Sequence, residues 1–291
     1  MTLYDVSGNP VTGYYDAPYT DTECRTAFMA EVNKKALSIG MTSSNFAVPS
    51  GASTQQQTTA KDMALLTLIA SCYKEMAEVW SKDSYTIVPR NRNVSIVVDT
   101  TVHDTTLEAN YPILGGKTGS YSGSNTLACV CDVDGKQVAG YIAGASTSVK
   151  RFSAMKQLMD IASTVLAGGT NTDTVTDATN AIAYEIPTYY TLNYEQQTLT
   201  PLYAQSETTS IIPASTVKII TALTMLDWVE DIHETFQIID SDMIGGSGAV
   251  FAMGDVISFK DALYAMMLPS SNMAAHAVAR AVGAKILTLG Q

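Results

Sequence analysis

The sequence predicts a mixed α/β (α+β) fold, with an antiparallel sheet flanked by helices and a mainly helical subdomain beside it. Residues 127–132 predict a strand, because their side chains would alternate between two faces, and the apolar run over 138–145 predicts another. The Asp134-Gly135 pair between them predicts a turn. This order is typical of a β-hairpin. Helices are predicted where apolar residues recur at helical spacing, as in residues 148–166. With 291 residues, 46% of them hydrophobic and 15% charged, the chain is long enough to bury a large core.

The predicted elements alternate between helices and strands along the chain. Residues 23–39 have an amphipathic pattern that stops at Gly40, and glycine is favoured just after a helix. Residues 59–62 resemble a capping box, and we expect the helix that follows to reach Trp80. The remaining predicted elements are strands over residues 85–88 and 94–98, the hairpin with the strand before it, a helix over 148–166 and a strand over 181–187.

A serine and a lysine lie three residues apart at the start of an apolar stretch. Pro213 and Ala214 precede Ser215, and the apolar residues after Lys218 predict a buried helix whose first turn holds the serine. Residues i and i+3 share a helix face, so the Lys218 amine can reach the Ser215 hydroxyl. A desolvated lysine can take the proton of a serine and make it a nucleophile. The same pair also occurs by chance at helix starts.

A second polar motif, Ser270-Ser271-Asn272, lies between two apolar stretches and directly after Pro269. The pattern predicts a helix, a turn broken by proline and another helix, with the polar side chains on a buried loop. Buried polar groups cost free energy unless they find partners. A proton relay by Ser270 and a clamp on a substrate amide by Asn272 would explain them. The alternative is an ordinary helix N-cap.

The third motif, Lys117-Thr118-Gly119, is followed by Ser120 and is predicted to lie on the strand before the hairpin. Glycines let a substrate backbone approach closely, while Lys117 and Thr118 offer a cation and a hydroxyl to a carboxylate. A phosphate-binding loop also ends in Gly-Lys-Thr, but its pattern needs a glycine where this chain has Tyr111. A strand and not a helix is predicted to follow, so the phosphate-binding alternative fails.

The three motifs and their flanks resemble the low-molecular-mass penicillin-binding proteins, specifically the serine D-alanyl-D-alanine carboxypeptidases, over nearly the whole chain. Residues 212–223 resemble that family's nucleophile helix, and residues 267–275 resemble its second element, with Met273 where the family often has Asp. Residues 33–64 resemble the segment that normally follows this element, and Asn110 precedes the third motif. The resemblance implies a β-lactamase- and penicillin-binding-protein-like fold with a cleft between sheet and helical subdomain.

The motifs stand in an order that differs from the family's, where the Lys-Thr-Gly element comes last. Residues 1–166 resemble the family's C-terminal part and residues 181–291 its N-terminal part, with a small polar linker over 167–180. Joining Gln291 to Met1 would restore the usual order. We therefore expect one circularly permuted catalytic domain over residues 1–291, with an exposed connection at residues 287–291 and 1–4.

The resemblance also implies a mechanism, acyl transfer through a covalent serine ester without cofactor or metal. The substrate would be a peptidoglycan stem peptide or a β-lactam. Backbone N–H groups of Ser215 and Ser120 would form the oxyanion hole, Ser270 would relay a proton to the leaving nitrogen, and Thr118 and Ser120 would receive the terminal carboxylate. The implied catalytic residues are Ser215, Lys218, Ser270, Asn272 and Lys117, and the implied substrate-binding residues are Thr118, Gly119 and Ser120.

Two other functions are compatible with these motifs. A β-lactamase or esterase would use the same nucleophile but needs efficient deacylation, and the glutamate-containing loop of class A enzymes is not evident, since Glu108 lies just before Lys-Thr-Gly. A non-catalytic permuted scaffold or penicillin-binding module would keep the fold with a disturbed site. Rapid penicillin turnover would favour the first alternative, and failure of any covalent labelling would favour the second.

Composition excludes several partners. The formal net charge of −11 argues against nucleic acid and against an anionic membrane surface. No run of about 20 apolar residues is present, so no membrane span is predicted. No signal peptide opens the chain, although the parent family is extracytoplasmic. Cys129 and Cys131 are too close along one strand for an unstrained bridge, and His103, His233 and His276 occur in unrelated contexts, so no metal site is predicted.

Overall fold

The computed structural model describes residues 3–4, 10–11, 18–187 and 199–289. The mixed α/β prediction is confirmed, because helices and strands alternate along these ranges. The helices are α1 (Asp21–Ser38), α2 (Ala60–Ser71), α3 (Lys74–Trp80), α4 (Thr105–Asn110), α5 (Lys150–Leu166), α6 (Lys218–Trp228), α7 (Phe259–Met267) and α8 (Asn272–Leu289). The strands are β1 (Leu3–Tyr4), β2 (Pro10–Val11), β3 (Ser84–Ile87), β4 (Ile96–Asp99), β5 (Ile113–Tyr121), β6 (Ser124–Val133), β7 (Lys136–Ala145), β8 (Asn180–Glu185), β9 (Tyr203–Gln205), β10 (Thr235–Gln237) and β11 (Val256–Ser258).

The central sheet has five strands in the order β5-β6-β7-β8-β9, and every neighbouring pair is antiparallel. The predicted hairpin is β6 and β7, joined at Asp134 and Gly135, which both have positive φ angles of 55° and 82°. Such angles suit a two-residue hairpin turn. Strand β5, which carries the Lys-Thr-Gly motif, lies at the edge of the sheet and pairs with β6 so that Lys117 is opposite Ala128.

Helices cover both faces of this sheet. Alternate residues of β6 point to opposite sides, so Ala128 and Val130 join the core shared with α2, whereas Cys129 and Cys131 join the core beneath α5. The Sγ atoms of the two cysteines are 3.5 Å apart, and both thiols are free. The first of these cores continues into the helical part of the molecule, where α1, α6, α7 and α8 bury their apolar faces together.

The first and last long helices pack directly on one another. A Cβ added to Gly283 would lie 1.8 Å from the Cys24 carbonyl oxygen, so α1 and α8 approach as closely as a glycine allows. At the ends of the two helices, the Tyr19 hydroxyl donates to the Leu287 carbonyl at 3.1 Å. Arg25 of α1 and Arg280 of α8 both bind the buried Asp242 carboxylate, at 2.8 and 2.6 Å. The beginning of α1 and the end of α8 are therefore neighbours.

Several predicted elements differ from the structure. The helix predicted over 59–80 is two helices, because Tyr73 adopts an extended conformation between them and its hydroxyl accepts a bond from Lys35 at 2.7 Å. The strands predicted over 85–88 and 94–98 are β3 and β4, which form a separate two-stranded sheet. The nucleophile segment begins as a 3-10 turn over Ala214–Val217 and becomes an α-helix only at Lys218.

The stretch expected to be a polar linker is partly packed. Within residues 167–180, Val175 is 2% exposed and Ala178 is 8% exposed. The Val175 N–H donates to the Tyr203 hydroxyl at 3.2 Å, and the Thr176 N–H donates to Gln157 at 2.8 Å. Within the expected connection at residues 287–291 and 1–4, residues 1–2 and 290–291 lie outside the described ranges. None of the helices described above is long and apolar enough to cross a membrane.

Candidate active site

The Lys218 side chain has three polar neighbours. Its Nζ atom lies 2.9 Å from Ser215 Oγ, 2.8 Å from the Ser50 carbonyl oxygen and 2.8 Å from Asn272 Oδ1. Lys218 is fully buried. Burial lowers the pKa of Lys218 well below its ordinary value, and the charge of Lys117 lowers it further. The neutral form of the Lys218 amine is therefore favoured.

The number of hydrogen-bond donors and lone pairs on the neutral Lys218 amine determines what it can do. A neutral amine has two N–H donors and one lone pair, whereas a carbonyl oxygen and an amide oxygen only accept. The Ser50 carbonyl and Asn272 Oδ1 therefore take both N–H groups. The lone pair is left for the Ser215 O–H at 2.9 Å, which is the geometry of a general base acting on a nucleophile.

The loop that carries Ser50 is built against the Ser215 turn. Gly51 has a φ angle of +85°, and a Cβ there would lie 1.9 Å from the Ala214 carbonyl oxygen and 3.0 Å from the Ser215 backbone nitrogen. Only glycine fits this approach. On the other side, the Thr221 hydroxyl of α6 donates to the Pro49 carbonyl at 2.8 Å. These contacts fix the backbone carbonyl that Lys218 binds.

Asn272, which accepts from Lys218, and Ser270, two residues before it, are both buried, at 7% and 5% exposure. Ser270 has a φ angle of +69°, and its buried Oγ has no hydrogen-bond partner among the described residues. Backbone strain and an unsatisfied buried hydroxyl each cost free energy. The N-cap alternative applies to Ser271, whose Oγ accepts from the Ala274 N–H at 3.2 Å.

A glycine-rich segment over residues 245–249 holds the second motif. A Cβ on Gly246 would lie 2.1 Å from Asn272 Nδ2, and one on Gly248 would lie 2.2 Å from the Ser271 backbone. The Asn272 N–H donates to the Ser247 carbonyl at 3.0 Å. This segment therefore fixes both the backbone and the side chain of Asn272.

Strand β5 brings the Lys-Thr-Gly motif to the nucleophile. A Cβ on Gly119 would lie 3.0 Å from the Pro213 carbonyl oxygen and 3.1 Å from the Ser215 nitrogen, so the strand passes directly beside the Ser215 turn. Lys117 is fully buried, and its Nζ donates to the Thr118 carbonyl at 2.9 Å. Burial lowers the pKa of Lys117 to about 7, with a smaller contribution from the Arg151 charge.

The other two substrate-binding candidates lie further along β5. The Thr118 hydroxyl is 2.7 Å from that of Thr101, and the Ser120 hydroxyl donates to Asn125 Oδ1 at 2.8 Å. Both side chains therefore have partners within the protein. The structure thus joins Ser215, Lys218 and Asn272 by hydrogen bonds, with Ser270 two residues before Asn272, and the other four residues singled out from the sequence lie along β5.

Arg151 is a site residue that the sequence did not reveal. It lies in the first turn of α5, with Nη1 3.2 Å from Ser120 Oγ, and it donates to the Gly119 carbonyl at 3.4 Å. Its Nε is buried without a hydrogen-bond partner, and no ion pair joins it to a carboxylate of the described residues. Burial lowers the pKa of this guanidinium. The sequence contains one signal that could have pointed to Arg151. A cation in the first turn of a helix is unfavourable because it opposes the helix dipole, so its presence there calls for another explanation.

One segment of the chain is similar to a known enzyme family. Residues 174–288 match the model of the Beta-lactamase enzyme family. The matched segment covers less than half of the chain and contains Ser215, Lys218, Ser270 and Asn272. Together with the mixed helix and sheet fold, it supports a β-lactamase- and penicillin-binding-protein-like serine hydrolase that acts on β-lactam-like substrates. No curated protein and no solved structure matches the chain.

The ionisable side chains of the candidate catalytic residues are lysines. Among the described residues, no Asp or Glu side chain is hydrogen-bonded to Ser215, Lys218, Ser270, Asn272 or Lys117; their side-chain partners are neutral oxygens and each other. The ionisable side chain that contacts the Ser215 hydroxyl among the described residues is Lys218, at 2.9 Å.

Proposed function

We propose that the protein is a serine D-alanyl-D-alanine carboxypeptidase that removes the terminal D-alanine of peptidoglycan stem peptides and is acylated by β-lactams. One observation carries the proposal, the three contacts of the buried Lys218 Nζ with Ser215 Oγ, Asn272 Oδ1 and the Ser50 carbonyl. A non-catalytic scaffold would have no need to bury an unpaired lysine, because desolvating an amine costs free energy.

The first half of the reaction forms the acyl-enzyme. Lys218 takes the Ser215 proton, and Ser215 Oγ attacks the carbonyl carbon of the penultimate D-alanine or of the β-lactam ring. Backbone N–H groups of Ser215 and Ser120 stabilise the oxyanion, a contribution of about 3 kcal/mol per donor. Ser270 passes a proton to the leaving nitrogen, with Lys117 beside it, while Asn272 holds the substrate amide.

The second half releases the product. Water attacks the ester, and Ser215 regains its proton as the acyl group leaves. The terminal carboxylate of the substrate lies at Thr118 and Ser120, and we include Arg151 among its ligands. Support comes from the position of Arg151 beside Ser120 and from its unpartnered Nε, since a buried guanidinium is stabilised by an anion.

A β-lactamase of the same fold is the second candidate, and the family match is equally consistent with it. The two functions differ in how fast water cleaves the acyl-enzyme. The lack of a carboxylate hydrogen-bonded to the described catalytic side chains favours slow cleavage, because a carboxylate base would activate the water.

The activity is tested with a diacetylated tripeptide ending in D-Ala-D-Ala, measuring free D-alanine. We expect release by the parent protein, none by Ser215→Ala, and full release by Ser122→Ala, a control in the exposed β5–β6 turn. Benzylpenicillin consumption is followed in parallel. Many turnovers of penicillin without D-alanine release would replace this proposal with a β-lactamase.

We also propose that the chain is a circular permutant of this family, with the division 1–166, 167–180 and 181–291. The proposal is supported by the order of the three motifs and by the contact between Tyr19 and Leu287, which joins the start of α1 to the end of α8. A short connection between these helices would reproduce the family's usual order.

A further inference from the structure

The two oxygens that accept from Lys218 belong to separate parts of the chain. The Ser50 carbonyl lies in a loop between α1 and α2, and Asn272 is the first residue of α8. Each accepts at 2.8 Å. If either oxygen moved away, an N–H group of Lys218 would compete with the lone pair for Ser215. The relative position of the loop and α8 therefore matters to the base.

One side chain bridges these two parts. His276 lies four residues after Asn272 on α8, and residues i and i+4 share a helix face. Its Nε2 is 3.4 Å from Ser50 Oγ, and Ser50 is 1% exposed. The His276 carbonyl accepts from Arg25 Nε at 3.4 Å, which ties the same turn of α8 to α1.

The charges around His276 act in opposite directions. Arg25 from α1 and Lys218 from α6 disfavour the protonated ring, whereas Asp242 from the segment before β11 favours it, and Lys117 of β5 lies near Lys218. Burial lowers the pKa of His276 to about 4, and the Arg25 charge adds to this effect. At neutral pH the ring therefore fills space beside Lys218 without adding a charge.

We propose that His276 is a positioning residue that links the Ser50 loop to α8 and so holds both acceptors of the Lys218 amine in place. The proposal rests on the proposed function, in which Lys218 is the base. Truncating His276 opens a path for water to Lys218, which reduces the desolvation that keeps the amine neutral. Truncating Ser50 removes the other half of the same link.

The experiment measures Lys218 directly, without substrate. The protein is labelled with carbon-13 at the ε-carbon of lysine, and the Lys218 signal, assigned by its loss in Lys218→Arg, is titrated by NMR. We expect the midpoint of the Lys218 titration to rise by about one pH unit in His276→Ala and in Ser50→Ala. At pH values below the midpoint, this rise corresponds to about tenfold less neutral Lys218 amine. The double variant should shift no further than either single variant.

Controls separate this role from a general loss of stability. His276→Gln, whose amide can replace the ring nitrogen, should keep the parent midpoint, and so should His233→Ala, a change at an exposed histidine. If His276→Ala does not fold, Ser50→Ala and His276→Gln carry the test. An unchanged Lys218 midpoint in folded Ser50→Ala or His276→Ala overturns the proposal.

Acylation by a fluorescent penicillin is measured on the same variants. It distinguishes the positioning role of His276 from the proposed carboxypeptidase function. A shifted midpoint in a protein that the penicillin never labels would support the positioning role and contradict the carboxypeptidase. Labelling of every variant at the parent rate and with the parent pH profile would support the carboxypeptidase and contradict the positioning role.

Discussion

Lys117 and Lys218 are both fully buried, and the positive charge of Lys117 is one of the two causes that lower the pKa of Lys218. Neither amine is hydrogen-bonded to a carboxylate of the described residues. Burial and the charge of Lys117 both disfavour the protonated form of Lys218, so simultaneous protonation of the two amines is unfavourable. The same pairing makes the stability of the protein depend on pH.

Stability should rise as the pH is raised from about 7 to 9. A lysine whose folded-state pKa lies below its unfolded value binds fewer protons when folded, so stability increases with pH between the two values. For Lys117 that window runs from about 7 to 10.5. We expect the free energy of unfolding in urea to rise by up to about 1.4 kcal/mol per pH unit for this one site, and to rise less in Lys117→Met. An identical pH slope in both proteins would contradict the burial of a neutral Lys117.

The substitution Gly51→Ala should damage both stability and acylation. A Cβ at this position meets the Ala214 carbonyl oxygen at 1.9 Å, so the Ser50 loop or the Ser215 turn must move. We expect a loss of about 1–3 kcal/mol in urea denaturation and slower penicillin acylation. Gly135→Ala is the matched control, because Gly135 has a similar φ of +82° but nothing within 4 Å. Equal losses in the two variants would mean that backbone strain alone, without the clash, sets the cost.

Arg151→Ala should weaken only substrates that carry a carboxylate. A hydrogen bond to a charged group contributes about 1.5–3 kcal/mol, which predicts a fall of about 10- to 150-fold in acylation efficiency by benzylpenicillin. An uncharged thioester without the carboxylate should react at the parent rate. We expect unchanged or raised stability, because a half-buried charge without a carboxylate partner among the described residues is removed. Arg90→Ala, an exposed control, should alter neither substrate. Equal loss on both substrates would remove Arg151 from the carboxylate site.

Moving the chain ends should leave the protein folded and active. In the variant, a short Gly-Ser segment replaces residues 290–291 and 1–17 and so joins Leu289 to Pro18. The chain is opened between Gly168 and Gly169. This arrangement restores the family's motif order. Because Tyr19 already contacts Leu287 at 3.1 Å, the join spans a short distance. We expect a similar melting temperature and acylation rate. An insoluble or unlabelled product, beside an active parent, would count against the permutation.

The central hairpin and the contact between Ser215 and Lys218 could be predicted because their signals are local. The Asp134-Gly135 turn and the alternation before it lie within one stretch of chain, as do Ser215 and Lys218 at i and i+3. The break at Tyr73 was missed because its cause is a contact with Lys35, distant in sequence. Likewise, the packing of Val175 depends on Tyr203, which no local pattern reveals.

The parts of the site that were missed act through atoms or distances that residue types do not show. Ser50 contributes a backbone carbonyl to Lys218, and any residue has one. Arg151 reaches Ser120 only because α5 packs across the end of the hairpin. The requirement for glycine at position 51 follows from a close approach to Ala214, which depends on the assembled fold.

The central claim is that Lys218 activates Ser215 for acylation, and intact mass after incubation with benzylpenicillin tests it most directly. We expect one persistent equivalent of adduct on the parent protein and none on Ser215→Ala. Lys218→Met should acylate about 10²- to 10⁴-fold more slowly, while Lys34→Met, at an exposed position, should match the parent. Acylation of Lys218→Met at the parent rate, an adduct that survives in Ser215→Ala, or an unlabelled parent with the drug intact would contradict the claim.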